Sequence, residues 1–196
     1  MFNKDEYLAV IKHKSSQNGD IETSNLKAFK LDDDNGIAVN IGFSPNMLKK
    51  VDYFLEDNHA IQLIELSDLR NQFNNCASEI KVEIEKIQTD NDKGTYKTKK
   101  IKEAKRKAWQ QLTDEFFKKW SGSIAVIERL YRKTNQSPDI DPNYCLLIVC
   151  VNETDIQILQ RLNDEFANIL NGMMGKVMSV KVIKTNQLSH FVIAHL

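Results

Sequence analysis

The sequence predicts an α/β domain with a central mixed β-sheet, flanking helices and a long helical segment in its middle. Three observations predict it. Apolar and polar residues alternate over much of the first 66 positions. Helical spacing of apolar residues takes over from about residue 70 to 133. A nearly continuous apolar run, Tyr144-Cys145-Leu146-Leu147-Ile148-Val149-Cys150-Val151, then precedes an amphipathic stretch and a further β-like run. Strand–helix–strand units of this kind favour a sheet that is at least partly parallel.

The elements follow in order. Residues 7–12, YLAVIK, read as a short strand. Residues 25–43 read as a hairpin, two β-like stretches joined by the turn cluster Asp32-Asp33-Asp34-Asn35-Gly36. Ser44-Pro45-Asn46 breaks the pattern. The clearest hairpin spans residues 51–66, where Val51, Tyr53 and Leu55 alternate with Asp52, Phe54 and Glu56. A polar turn at 56–59 leads to Ile61, Leu63, Ile64 and Leu66.

From residue 68 the period changes. Ala77, Ile80, Ile84 and Ile87 recur at helical spacing, and residues 89–98, with Asn91, Asp92 and Gly94, read as a turn between helices. Ala108, Leu112, Phe116 and Trp120 continue the helical pattern. Ser121-Gly122-Ser123 marks a candidate break, with Ser123 capping a second segment through Ile124, Ile127 and Tyr131. Pro138 and Pro142 stop the helix. The run from Tyr144 to Val151 has the composition of a strand buried on both faces. Residues 154–170 form an amphipathic helix through Ile158, Leu162, Phe166 and Ile169, ended by Gly172 and Gly175. Residues 177–183 and 191–194 read as the last strands. Internal repeats and low-complexity tracts are not evident.

A length of 196 residues suits a single α/β domain over 1–196, with residues 70–133 as a helical segment within it. Lys+Arg and Asp+Glu are equal at 27 each, so the molecule as a whole has no long-range attraction for nucleic acid or an anionic membrane, and such binding needs a local basic patch. Cys76, Cys145 and Cys150 form neither a disulfide framework nor a zinc spacing and read as reduced thiols of a cytoplasmic protein. The N-terminus lacks the pattern of a signal peptide, and no apolar run approaches a membrane span.

Two acids stand out. Asp52 and Glu65 sit on the paired strands of the 51–66 hairpin, Glu65 between Ile64 and Leu66. A carboxylate buried there without a partner costs several kcal/mol, about the amount that a metal, a cation or a catalytic role offsets. Facing carboxylates suit a hard cation such as Mg²⁺ (or Mn²⁺), which keeps several waters, and such an ion acts on phosphodiesters. The plain structural alternative is an exposed Asp52 and a Glu65 paired with Lys or Arg.

A second feature is basic. Lys97, Lys99, Lys100, Lys102, Lys105, Arg106 and Lys107 crowd eleven positions, followed by Lys118 and Lys119. Such a patch neutralises phosphates, or is simply a solvated helix face balanced by Glu103, Asp114 and Glu115. Trp109 and Trp120 are of a type that stacks on bases, but Trp120 shares the stripe of Leu112 and Phe116, which favours core packing. The run Asp32-Asp33-Asp34 lacks the length and closing Glu of a calcium loop. His13, His59, His190 and His195 are scattered. Phosphate-binding glycine loops, dinucleotide fingerprints and nucleophile elbows are missing.

The stretches Val51-Asp52-Tyr53-Phe54-Leu55 and Ile61-Gln62-Leu63-Ile64-Glu65-Leu66-Ser67 resemble the PD-(D/E)XK nuclease superfamily. The resemblance covers about twenty residues closely, and beyond them the order of elements. It implies a restriction-endonuclease-like fold and a Mg²⁺-dependent endonuclease, with Asp52 and Glu65 as catalytic metal ligands. It also implies a nucleic-acid partner, DNA ahead of RNA, and the basic run supplies the residues expected to hold its backbone, Lys99, Lys100, Lys102, Lys105, Arg106 and Lys107. The family's Lys two positions after the second acid is replaced here by Ser67. Members with a relocated Lys take it from the following helix, which makes Lys81 the catalytic candidate, with Lys105 and Lys107 less local. The family's N-terminal helix is not evident, and Glu22 is the candidate for its acid. Ser67 equally favours an inactive nuclease-fold module that binds nucleic acid. A protein-interaction subunit or homodimer built on the helices at 77–87 and 108–120 is the third expectation.

Overall fold

A computed structural model describes residues 2–15, 19–57, 59–89, 94–135, 142–170 and 177–192. The chain folds as an α/β structure around one six-stranded mixed sheet whose spatial order follows the sequence, β1-β2-β3-β4-β5-β6. The strands are β1 (Leu8–Lys14), β2 (Ile21–Lys30), β3 (Tyr53–Glu56), β4 (Ala60–Leu66), β5 (Asn143–Cys150) and β6 (Val177–Lys184). The first four pair antiparallel; β4, β5 and β6 run parallel. Parallel neighbours need crossovers. The helices α2 (Arg70–Thr89) and α3 (Thr95–Thr134) link β4 to β5, and α4 (Ile156–Leu170) links β5 to β6.

Alternation along the strands feeds two cores. On one face, Phe54, Leu63, Leu146 and Ile148 pack beneath Phe73, Trp109, Phe116, Trp120 and Phe166 from the helices. On the other, Tyr53, Leu55, Ile64, Leu147 and Val149 meet Ile11, Ala28 and Leu188. The unbroken apolar run of β5 follows directly, since both of its faces are covered. Trp109 and Trp120 are 3% and 4% exposed, which removes them as base-stacking platforms. Cys76 and Cys150 are buried and Cys145 is half-buried; all three are free thiols.

The hairpin of β1 and β2 curls over the second face. Only Phe29 and Lys30 of β2 pair with β3. The rest of the hairpin crosses to the far side of the sheet, where His13 Nδ1 lies 3.3 Å from Thr185 Oγ1 and the Asn152 amide donates to Glu22 Oε1 at 2.8 Å.

Three expectations are corrected. Residues 37–40 are helical, α1 (Ile37–Asn40), rather than the second arm of a 25–43 hairpin; β2 pairs with β1 and β3. The buried set Ile37, Ala38 and Ile41 has helical spacing, and at Gly36 a Cβ would sit 2.8 Å from the Leu31 carbonyl oxygen, so the turn admits only glycine without a shift. Second, Ser121-Gly122-Ser123 does not interrupt α3, a single helix of 40 residues. Third, Phe191 closes a short helix, α5 (Leu188–Phe191), rather than opening a strand. Its ring packs on the second core. Residue 194, with Asn91, Asp92, Pro138, Gly172 and Gly175, lies outside the described residues. Among the described residues no helix is long and apolar enough to cross a membrane.

Candidate active site

β3 begins at Tyr53, which pairs with Ile64, so Asp52 is not on the strand as expected but one residue before it, at the same end of the hairpin as Glu65. Tyr53 and Ile64 belong to the second core, so Asp52 and Glu65 face the other way, toward α3. There Lys119 Nζ forms an ion pair with Glu65 Oε1, and Glu115, one helical turn earlier, approaches Lys119 at 3.6 Å. Asp52 Oδ2 accepts a hydrogen bond from the Leu66 amide at 2.7 Å. Glu65 is 3% exposed, and its Oε2 is buried with no hydrogen-bond partner among the described residues.

The electrostatics follow from this geometry. Burial, and then the neighbouring Asp52 carboxylate, push Glu65 up to about 8 against the pull of Lys119. Burial raises Asp52, while the Leu66 amide and Lys119 oppose the rise. Burial alone would lower Lys119, but the carboxylates of Glu65 and Asp52 outweigh it and hold the ammonium above its ordinary value. With both carboxyls ionised, the buried Glu65 and half-buried Asp52 against one ammonium leave one negative charge uncompensated. Below about pH 8 a proton on Glu65 neutralises it; a cation neutralises it without protonation.

The chain before β3 is locked to α3. The Val51 amide donates to Ser123 Oγ at 2.9 Å, and that hydroxyl donates to the Lys119 carbonyl at 2.6 Å. Ser123 therefore ties the segment that carries Asp52 to the helical turn that carries Lys119. Beside it, a Cβ added to Gly122 would fall on the Lys49 carbonyl oxygen. The glycine is required by this close crossing, which is why the Ser-Gly-Ser triplet sits in mid-helix. From the other side, the Leu31 and Asp32 amides donate to the Asp52 carbonyl at 2.8 and 3.3 Å. The buried Lys50 ammonium pairs with Asp32 at 2.7 Å and donates to the Pro45 carbonyl at 3.0 Å.

The structure brings Asp52 and Glu65 together, with Glu65 on a lysine, and separates most of the other expected residues from them. Lys81 is exposed on α2. Ser67 leaves the end of β4, its amide bonded to the Val149 carbonyl at 2.9 Å. The basic run lies toward the start of α3: Lys107 is about 18 Å and Lys99 about 30 Å along the helix axis from Lys119. Lys99, Lys102, Lys105, Arg106 and Lys107 are exposed, and the Lys100 ammonium sits 4.9 Å from the centre of the Tyr96 ring. Glu22 is on β2 with a buried, unpaired Oε2, docked at Asn152. The residue that sequence reasoning missed is Lys119. It lies 54 positions from Glu65, and no local spacing marks it.

Among the described residues no group of three or more His, Cys, Asp and Glu is placed to hold a metal. A metal at this site would depend on the Asp52–Glu65 pair. That pair fits a hard cation: oxygen donors, an orphaned carboxylate oxygen and an uncompensated charge. No protein family, curated protein or solved structure matches this chain.

Proposed function

We propose that Asp52, Glu65 and Lys119 form the centre of a Mg²⁺- or Mn²⁺-dependent phosphodiesterase of the PD-(D/E)XK kind, on a restriction-endonuclease-like sheet, with Lys119 in the role that Ser67 leaves vacant. The observation that carries this reading is the meeting of the buried Glu65, the half-buried Asp52 and one lysine from three separate segments at the end of the β3–β4 hairpin. The orphaned Glu65 Oε2 adds support, because a fully structural ion pair has no use for a second, unsatisfied carboxylate oxygen.

In this reading Asp52 and Glu65 hold the ion. When bound, the ion acidifies a water and stabilises charge on the phosphate. Lys119, beside Glu65, would keep its proton and donate hydrogen bonds to the anionic phosphate oxygens. Asp52 is held in position by the Leu66 amide and the Ser123 tether, so little reorganisation accompanies reaction.

The test is titration calorimetry of Mg²⁺ and Mn²⁺ into wild type and Asp52→Asn/Glu65→Gln, followed by a cleavage screen on single-stranded and duplex DNA and RNA. Metal binding and metal-dependent cleavage by wild type alone are expected, with Lys119→Met retaining metal and losing cleavage. Cleavage that survives in Asp52→Asn/Glu65→Gln overturns the reading. Wild type that binds neither metal nor cleaves leaves the cluster as a structural ion pair.

A further inference from the structure

The second half of α3 carries a surface that the site above does not use. Phe117, Lys118 and Ser121 on one side and Met47, Leu48 and Lys49 on the other enclose a cavity of about 440 Å³. It adjoins, at Ala125, a second cavity of about 570 Å³ lined by Phe43, Glu128, Arg129 and Arg132. Together they form a groove between α3 and the 43–49 loop. From Lys118 to Arg132 it follows the helix for about 21 Å.

Its chemistry is one-sided. Lys49, Lys118, Arg129 and Arg132 are exposed, Glu128 is the one acid among the lining residues, and none of the four cations forms an ion pair among the described residues. In a chain with equal numbers of acids and bases, four unpaired cations in one groove mark an anion-binding surface. Arg129 is already set: its guanidinium lies 4.9 Å from the centre of the Phe43 ring, which fixes its plane. The apolar side chains there are unusual too. Met47 is 64% and Phe117 36% exposed, and both face the same cavity. The lysine-rich start of α3 differs in charge. Its cleft with α2 is lined by Glu79, Glu83 and Glu103 as well as Lys86, Lys100 and Lys107, so its charge is balanced.

We propose that this groove binds single-stranded nucleic acid, its cations on the phosphates and Phe117 with Met47 under the bases. Unpaired strands offer base faces to an exposed aromatic ring, and duplexes keep those faces stacked inside. The groove borders the crossing that positions Asp52: Gly122, which meets the Lys49 carbonyl, is among its lining residues. The proposal rests on the hydrolytic reading only in taking the bound strand as substrate. Affinity is measured with the metal chelated, so the two fail separately.

The experiment is fluorescence anisotropy of labelled oligothymidylate with the full chain in EDTA, over a range of salt. Four neutralised phosphates give a log–log salt slope near about −3 for a single strand. Lys49→Ala/Lys118→Ala/Arg129→Ala/Arg132→Ala, all at exposed positions, is expected to lose at least about tenfold in affinity and to flatten that slope. Phe117→Ala is expected to lose about fivefold or more with the slope unchanged, as a stacking contact does. Lys99→Ala/Lys102→Ala/Lys105→Ala is expected to bind like wild type. An equal loss in that last variant, tighter binding of duplex than of the single strand, or equal binding of polyglutamate that ignores Phe117→Ala, each overturns the proposal. The last outcome would assign the groove to an acidic polypeptide.

Discussion

Lys119 and Glu65, 54 positions apart in the chain, form an ion pair over the carboxyl end of β4, and the second oxygen of that carboxylate has no partner. The pair is therefore half-satisfied. Its stability depends on pH, on Lys119 and on the crossing that holds Asp52 beside it.

The pH dependence has a definite sign. Glu65 is raised in the folded state to about 8 from an ordinary value of 4.5. Its contribution is fully present below the unfolded value and is lost as pH rises through the folded one. Wild type is expected to lose stability between about pH 5 and 8, in a buffer series followed by urea unfolding. Glu65→Gln, which cannot ionise, is expected to flatten that loss by at least about 1 kcal/mol. Equal pH profiles for the two proteins would show that Glu65 is already ionised across this range.

Removing the lysine tests the pair from the other side. Lys119→Met leaves the buried Glu65 and the neighbouring Asp52 without their ammonium. Breaking a buried pair costs about 3–5 kcal/mol when the remaining charge stays ionised. Here Glu65 escapes by taking up a proton. The loss is expected to be largest above pH 8 and small at pH 5, and Lys119→Met/Glu65→Leu is expected to recover most of it. A loss independent of pH would point to packing of the lysine stem.

Gly122→Ala tests the crossing. The added methyl meets the Lys49 carbonyl, so chain or helix must shift, at a cost of about 1–3 kcal/mol. Ser121→Ala, one position away and exposed, is expected to change stability by less than about 0.5 kcal/mol. Because the crossing positions Asp52, metal affinity and cleavage are expected to fall in Gly122→Ala by more than the stability loss explains. Denaturant melts alongside calorimetry separate the two effects.

His13 adds a separate acid sensitivity. Burial lowers it, against the attraction of Glu22 and Asp68, so the folded protein keeps the ring neutral. The unfolded chain binds the proton first, and stability is expected to fall as pH drops below about 6.5. Following the ring by NMR should show a titration midpoint below the ordinary histidine value. A midpoint above it would mean that the two acids outweigh burial.

The hairpin of β3 and β4, the buried strand β5 and the amphipathic α4 were legible in the sequence because periods of two and 3.6 follow directly from which faces are covered. Asp52 and Glu65 were legible for the same reason, as acids inside an apolar pattern. Lys119 was not. It resembles its neighbour Lys118 in every local respect, and only the tertiary crossing at Gly122 and Ser123 turns one toward Glu65 and leaves the other in a groove. Residues 37–41 misled because β-branched residues dominate their composition, while the buried positions Ile37, Ala38 and Ile41 follow a helix. Ser121-Gly122-Ser123 misled because its local preference for a break is weaker than the packing that keeps α3 whole.

That continuity has a mechanical side. Tyr96, at the far end of α3, and Lys119 belong to one rod, about 35 Å apart along its axis. A hydrogen-bonded helix transmits tilt and twist along its length, so a load on the Tyr96 end of α3 arrives at the ion pair as torque. A break at the Ser-Gly-Ser triplet would have placed a hinge between Lys119 and the Ser123 tether to Val51; without one, the ammonium and the tether ride on the same rod.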